Sequence, residues 1–156
     1  MHPYRNFILM IAVSASLMFG LMYLNTYQIS HVWFSQTRLF MTFIMAGSMA
    51  LVMLFFMRYM FKNKQTNVGI VIGSIALMGS GLWLVRSQAT VGDVAWMKAM
   101  IPHHSIAILT SGRAGITDPR VRKLADEIID AQRREIREME GLIRDIDDQS
   151  AETSRP

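Results

Sequence analysis

The sequence contains no cysteine, which excludes disulfides, thiolate metal sites and cysteine nucleophiles. It also has no Asp or Glu before Asp93, and every acidic residue lies from that position onward. The formal net charge of +4 therefore arises in the apolar N-terminal half, where basic residues flank hydrophobic stretches. Because the positive charge is not clustered on a water-exposed face, this distribution argues against a nucleic-acid partner.

Three long stretches are apolar enough to cross a bilayer, whose hydrocarbon core needs about 20 residues of helix. They are residues 7–27, 39–61 and 68–85. These stretches predict a transmembrane region over residues 1–86, with the lipid bilayer as its partner. Arg58, Lys62 and Lys64 make the second connection the most basic, so the positive-inside rule places that connection and the N-terminus in the cytoplasm. In a bacterium this is the inner membrane, and the C-terminal half lies in the periplasm.

Methionine is unusually frequent, with 14 in the chain. A row in the second predicted span recurs at every fourth residue and consists of Met41, Met45, Met49, Met53 and Met57. Thioether side chains fill gaps between helices and face lipid, so packing is the favoured interpretation. A ladder for a soft cation, and hence a transport path, is the alternative.

Small residues spaced four apart predict where the spans approach each other. One pair is Gly69 with Gly73, and the other is Ala46 with Ala50. The first connection carries His31, Trp33 and Phe34, which predict an interfacial aromatic anchor on the same side of the membrane as the C-terminal half.

The composition changes after Arg86, and residues 87–148 predict a water-exposed antiparallel hairpin of two helices. Thr90 is the expected N-cap of its first helix, with Asp93 three residues later, and this helix is expected to end near Ser111. The predicted fold class is therefore all-α, with three transmembrane helices followed by a helical hairpin.

The second helix of the hairpin is expected to begin at Asp118 and Pro119, which have the residue types of an N-cap and a first helical position. It is expected to end near Asp147. Residues 149–156 are small and polar and predict a disordered tail.

The seam between the two helices is polar or sulfur-bearing where packing would favour aliphatic side chains. A turn centred near Gly115 would place Met97 and Met100 at about the level of Gln132 and Glu135, with Asp93 near Met139. Thioethers combined with imidazole suit Cu(I). The candidate metal-binding side chains are Met97, Met100, His103, His104, Glu135 and Met139, with Asp93 and Gln132 as their supporting hydrogen-bond partners.

The alternative interpretation is a hydrogen-bonded network in which His104 and Glu135 satisfy each other and set the helix register. The protein would then be a non-catalytic structural or regulatory membrane module. An enzyme is not expected. A di-iron site would need Glu where Met100 precedes His103, and Ser105 points in a different direction from His104 on their shared helix.

Two stretches resemble a known family. Residues 93–108, Asp-Val-Ala-Trp-Met-Lys-Ala-Met-Ile-Pro-His-His-Ser-Ile-Ala-Ile, are similar to the signature of a bacterial family catalogued as domain of unknown function 305. Residues 118–139 resemble its second motif, including Gln132, Glu135 and Met139. The resemblance implies a ferritin-like bundle and, for some members, periplasmic copper binding linked to copper tolerance.

This chain has one hairpin, whereas fuller members of that family have enough helices for a four-helix bundle. A hairpin alone buries little surface, so we expect a half-bundle that is completed by a homodimer or higher homo-oligomer, or that docks on the membrane helices. The expected function is copper buffering or tolerance by a membrane-anchored Cu(I)-binding protein, with a copper-handling membrane protein as a candidate partner.

Overall fold

The computed structural model describes residues 3–153, and within that range the chain has five α-helices, one short 3-10 turn and no strand. The helices are α1 (Pro3–Leu21), α2 (Gln36–Phe56), α3 (Lys64–Ser87), α4 (Asp93–Arg113) and α5 (Pro119–Thr153), and the 3-10 turn is Ile29–His31. The predicted all-α class is confirmed. The helices form two compact units: an apolar unit of α1, α2 and α3, and a hairpin unit of α4, α5 and the connecting segment, residues 23–35.

In the apolar unit, α1, α2 and α3 contain 19, 21 and 24 residues, and each is long and apolar enough to cross a membrane. α2 lies in the middle and contacts both of the others. Apolar side chains such as Ile8, Val52 and Ile72 are exposed on the outside of these helices. An apolar outer surface of this kind suits lipid rather than water.

Glycines in α2 and α3 permit these two helices to approach closely. A Cβ added at Gly47 would lie 2.7 Å from the Ser74 carbonyl oxygen, and one added at Gly81 would lie 2.8 Å from the Phe40 carbonyl oxygen. Neither contact tolerates a side chain, so these glycines set the distance between α2 and α3.

Of the two predicted small-residue pairs, one lies in a helix contact and the other does not. Ala46 and Ala50 are buried, as expected for a helix contact. A Cβ at Gly69 or Gly73 would meet nothing within 4 Å, so the predicted close approach at that pair is wrong. Spacing alone did not reveal which face of α3 turns toward α2.

The row of methionines in α2 is not deeply buried. Met41 is 46% exposed, and Met53 and Met57 pack against a cluster that contains Phe7 and Phe61. At that end of α2 the thioethers fill space between helices, which agrees with the packing interpretation.

The ends of the apolar helices differ from their predicted positions. α1 ends at Leu21 rather than near Tyr27, because the chain after it turns away and packs in the hairpin unit. α2 ends at Phe56 rather than at Phe61. α3 begins earlier than predicted, because the Asn63 side chain accepts a hydrogen bond from the Thr66 amide and caps it.

In the hairpin unit, α4 packs along α5 around a core cluster of aliphatic and thioether side chains. The buried members are Met97, Ile101, Ile108, Ile136, Met139 and Ile143. Gly92, not Thr90, occupies the N-cap of α4, so the predicted cap is wrong and Asp93 is the first helical residue. Pro102 is buried inside α4, and the helix continues through it.

α5 begins at Pro119, the position predicted from sequence, and the Asp118 carboxylate accepts a hydrogen bond from the Arg120 amide at 2.8 Å. The pKa of Asp118 is lowered, chiefly because its carboxylate also accepts from the Arg120 guanidinium. α5 continues to Thr153, which corrects the expected disordered tail as far as that residue. The rest of the predicted tail, residues 154–156, lies outside the described residues.

Candidate metal site

The buried face of α4 includes the predicted Met97, but after Met97 it runs through Ile101 and Ser105, one residue from Met100 and His104. Its most buried side chains are Ile101 and Ser105, both at 0% exposure. The reason is that α4 contacts two neighbours, α5 and the 3-10 turn of the connecting segment, rather than α5 alone. His104 is consequently at the edge of the seam, near solvent, instead of at its centre.

His104 is held between two oxygen atoms. Its Nδ1 lies 2.9 Å from the carbonyl oxygen of Met100, one turn earlier on α4. Its Nε2 lies 2.8 Å from the Oε2 of Glu135 on α5. The side chain of His104 is 12% exposed and that of Glu135 is 43% exposed, so the contact is reached by solvent from the Glu135 side.

The hydrogen-bonding arrangement requires a proton or a metal ion between His104 Nε2 and Glu135 Oε2. A carbonyl oxygen only accepts, so Nδ1 carries a proton and donates it to Met100. In the neutral ring, Nε2 then presents a lone pair to a carboxylate oxygen that also only accepts. A proton shared by these two groups, or a metal ion bound by both, resolves that conflict. A ligating histidine whose other nitrogen donates to a backbone carbonyl is the usual arrangement in metal sites.

Thioether sulfur lies one helical turn from this pair. Four residues before His104 on α4 is Met100, which packs against the core cluster, and four residues after Glu135 on α5 is Met139, a buried member of that cluster. Met97 belongs to the same cluster. Since residues four apart share a helix face, the antiparallel register set by His104 and Glu135 brings Met100 and Met139 to one level.

That register corrects the predicted one, in which Met97 and Met100 lay at about the level of Gln132 and Glu135. It also moves Asp93 away from Met139. Asp93 is exposed in the first turn of α4, and Gln132 is half-buried about one turn from Glu135 on α5. Neither side chain has a hydrogen bond to a candidate ligand within residues 3–153, so the supporting role predicted for them is not seen.

His103 does not join the seam. Its side chain is exposed, and its ring centroid lies 6.0 Å from that of His104 with the rings edge to face. Within the described part of the chain, no three His, Asp or Glu side chains form a group suited to hold a metal. Any metal bound here would therefore need methionine sulfur in addition to His104 and Glu135.

A second polar contact, which sequence reasoning missed, lies on the other side of α4. The buried Ser105 Oγ accepts a hydrogen bond from the Tyr27 amide at 2.7 Å and lies 2.9 Å from His31 Nδ1. As predicted, Ser105 and His104 point in different directions from α4. Ser105 nevertheless contacts a histidine, His31 of the connecting segment. Nothing in the local pattern of α4 reveals a partner so distant in sequence.

The connecting segment also differs from the aromatic anchor predicted for it. His31 is buried, and Trp33 packs against the core cluster of the hairpin unit with the Lys98 ammonium 5.5 Å from its ring centroid. Phe34 is 59% exposed and remains suited to an interface. The segment thus contributes to the fold of the hairpin unit rather than serving only as a lipid contact.

Known proteins resemble this chain in both of its halves. A family described as Domain of unknown function (DUF305) matches residues 93–155. An uncharacterized protein of Acanthamoeba polyphaga mimivirus is 30% identical over 146 residues, which cover 89% of this chain and 93% of the viral protein. The chain belongs to the DUF305 family. This DUF305 protein matches no solved structure. The relative is a viral protein, so the bacterial origin implied by the resemblance stays a prediction.

Proposed function

We propose that this protein is anchored in a membrane by α1, α2 and α3, binds Cu(I) at the seam of α4 and α5, and serves copper buffering or tolerance. In this proposal the N-terminus is cytoplasmic, the hairpin unit is periplasmic, and the membrane is a bacterial inner membrane. The basic connection between α2 and α3, with Lys62 and Lys64, supports that orientation. A copper-handling membrane protein is the proposed partner.

The observation that carries the proposal is the arrangement around His104. Its Nδ1 is engaged by a backbone carbonyl, its Nε2 faces a carboxylate 2.8 Å away, and two thioethers lie one turn from the pair. The residues that would hold the metal are His104, Met100 and Met139, with Glu135 at the solvent side. Soft sulfur with imidazole favours Cu(I) over the divalent metals that prefer oxygen. His103 contributes less because its ring is exposed.

Copper binding is tested by titrating the full chain in detergent with Cu(I) under reducing, oxygen-free conditions, in competition with a chromogenic Cu(I) chelator. We expect His104→Ala and Met100→Ala to weaken binding about tenfold or more, since each removes a donor. His103→Ala is the matched control for an exposed imidazole, and Met41→Ala is the control for a thioether of the apolar unit. Unchanged affinity and stoichiometry in both seam variants would end the proposal.

A second candidate is the structural or regulatory module in which the seam only sets helix register. It is favoured by the fact that both ring nitrogens of His104 already have oxygen partners. Absence of copper binding combined with destabilisation by Glu135→Ala would select this function.

We also propose that two hairpin units pair into a four-helix bundle. Apolar side chains of α5 that remain exposed support this pairing: Val121, Leu124, Ile128 and Leu142. Crosslinking in membranes that yields monomer alone would exclude it.

A further inference from the structure

The hairpin unit contains a cavity of about 420 Å³ between the connecting segment and α5, and none of the candidate metal-binding side chains lines it. Gln28, Ser30 and His31 form one wall, and Arg133, Arg137 and Glu140 of α5 form the other. The floor is apolar and comes from Ile108 and Ile136. Polar side chains thus converge over an apolar base, as they do in sites for small ligands.

The two arginines of the cavity are available for a ligand. Arg133 and Arg137 are one turn apart and share a face of α5. The Arg133 guanidinium lies 3.9 Å from Asp130, at the outer limit of an ion pair, and both side chains of that pair are at least half exposed. Among residues 3–153, Arg137 has no ion-pair partner. Paired guanidinium groups bind the oxygens of phosphate more strongly than single ammonium groups do.

The opposite wall is fixed in place by buried contacts. Ser105 holds the backbone of Tyr27 at 2.7 Å and the Nδ1 of His31 at 2.9 Å. Because Nδ1 is engaged there, Nε2 is the nitrogen of His31 that can meet a ligand. The wall is therefore formed before any ligand binds, which lowers the entropic cost of binding.

The charge of the lining selects among anions. Arg133 and Arg137 with Glu140 leave a net charge of +1 on the charged side chains when His31 is neutral. A phosphodiester, which carries a single negative charge, matches this net charge, whereas inorganic phosphate near neutral pH carries more negative charge than the lining offsets.

The location of the connecting segment indicates the source of such a group. It joins α1 to α2, both long and apolar enough to cross a membrane, so the segment lies at a membrane surface when they do. Ile29, between the lining residues Gln28 and Ser30, is 91% exposed and available for contact with lipid. Lys and Arg side chains next to a membrane surface attract anionic phospholipid head groups.

We propose that this cavity binds the phosphodiester of a phospholipid head group through Arg133 and Arg137. The site shares no side chain with the proposed copper site and does not depend on copper binding.

The test uses the full chain in detergent micelles, with phosphatidylglycerol and a diacylglycerol of the same acyl chains offered in equal amounts, and native mass spectrometry to measure which lipid is retained. We expect the wild type to prefer phosphatidylglycerol. The double variant Arg133→Gln with Arg137→Gln should lose about tenfold of that preference, because two charge-assisted contacts are removed. The matched control is Arg134→Gln with Arg144→Gln, which removes the same charge from exposed positions of α5 outside the cavity.

A second variant distinguishes a damaged binding site from a damaged fold. Glu140→Gln removes the repelling carboxylate, so it should increase retention of phosphatidylglycerol, which a damaged fold would not do. Equal retention by the wild type and the arginine double variant would overturn the proposal. Displacement of the lipid by an equal concentration of inorganic phosphate would show that the cavity does not select a phospholipid, and would overturn the proposal on that point. The copper-site variant His104→Ala should leave lipid retention unchanged.

Discussion

The apolar unit and the hairpin unit bring helices together by different means. In the apolar unit, α2 and α3 meet through glycine: Gly47 faces the Ser74 carbonyl oxygen and the Met78 side chain, and Gly81 faces the Phe40 carbonyl oxygen. In the hairpin unit, α4 and α5 meet through branched and thioether side chains, with polar contacts from Ser105 and His104 at the margins. Helices surrounded by lipid gain little from burying apolar side chains, so close van der Waals contact between small residues becomes the main attraction.

The hairpin unit also depends on a segment that is remote in sequence. Tyr27 and His31 contact α4 through the single hydroxyl of Ser105, which bonds to both of them. Both hydrogen bonds lie inside the hairpin unit. Removing one partner leaves a polar group unpaired, which lowers the stability of the fold. Single substitutions can therefore compare the two units. In the hairpin unit they test the loss of a hydrogen-bond partner, and in the apolar unit they test steric crowding between helices.

The largest effect is expected for Ser105→Ala in the hairpin unit. The change leaves the Tyr27 amide and the His31 ring without their buried partner and should destabilise this unit by about 1–3 kcal/mol. Hydrogen exchange should show faster exchange at the Tyr27 amide while the amides of α4 stay protected. Thr110→Ala is the control, since its hydroxyl is exposed and bonds only to its own helix. Equal effects of the two changes would contradict the role assigned to Ser105.

A smaller effect is expected for Gly81→Ala in the apolar unit. The new methyl group would lie 2.8 Å from the Phe40 carbonyl oxygen and 3.2 Å from the Phe43 Cβ, so α2 and α3 must move apart. Overpacking costs about 1–3 kcal/mol, and about 1 kcal/mol is regained because alanine is the better helix former. Gly73→Ala, which meets nothing within 4 Å, should be neutral or stabilising. Thermal unfolding in detergent measures both variants, and a cost at Gly73 as large as that at Gly81 would refute this account.

The smallest effect is expected at the exposed start of α5. Asp118→Ala removes the cap of this helix, whereas Asp118→Asn keeps an acceptor for the Arg120 amide and loses the charge. Because the pKa of Asp118 is lowered in the folded chain, its contribution is present above the ordinary value of 3.8 and is lost as the pH falls through the lower folded value. Circular dichroism at neutral pH should show slightly lower thermal stability for the alanine variant. The difference between wild type and Asp118→Asn should disappear in acid.

Several features of the fold could be predicted from the sequence. The absence of acidic residues before Asp93 and the long apolar runs indicated three candidate spans, and Pro119 marked the start of α5. These features depend on composition and on local backbone preferences, which each stretch of chain carries by itself. The helix ends were less well predicted, because an apolar run such as that ending at Tyr27 does not show where the chain leaves the helix.

The candidate site was predicted only in part. Residue types and spacing selected His104, Glu135 and the methionines near them. They also selected His103, which is exposed, and Asp93 and Gln132, which make no hydrogen bond to a candidate ligand within residues 3–153. A helical pattern gives the angle between side chains on one helix, but it does not give the rotation of that helix against its neighbours.

The sequence by itself determined that the chain is helical, that three of its helices are apolar enough for a membrane, and that thioether and imidazole groups recur near the hairpin seam. Tertiary structure alone decided that the connecting segment packs on α4 and that Ser105 meets His31, whereas the pairing of His104 with Glu135 was one of the two interpretations of the sequence. The physical reason is that composition and periodicity act over a few residues. The rotation of α4 about its axis, in contrast, is set by the burial of Ile101 and Ser105 against α5 and the connecting segment, parts of the chain that the local pattern of α4 does not reveal.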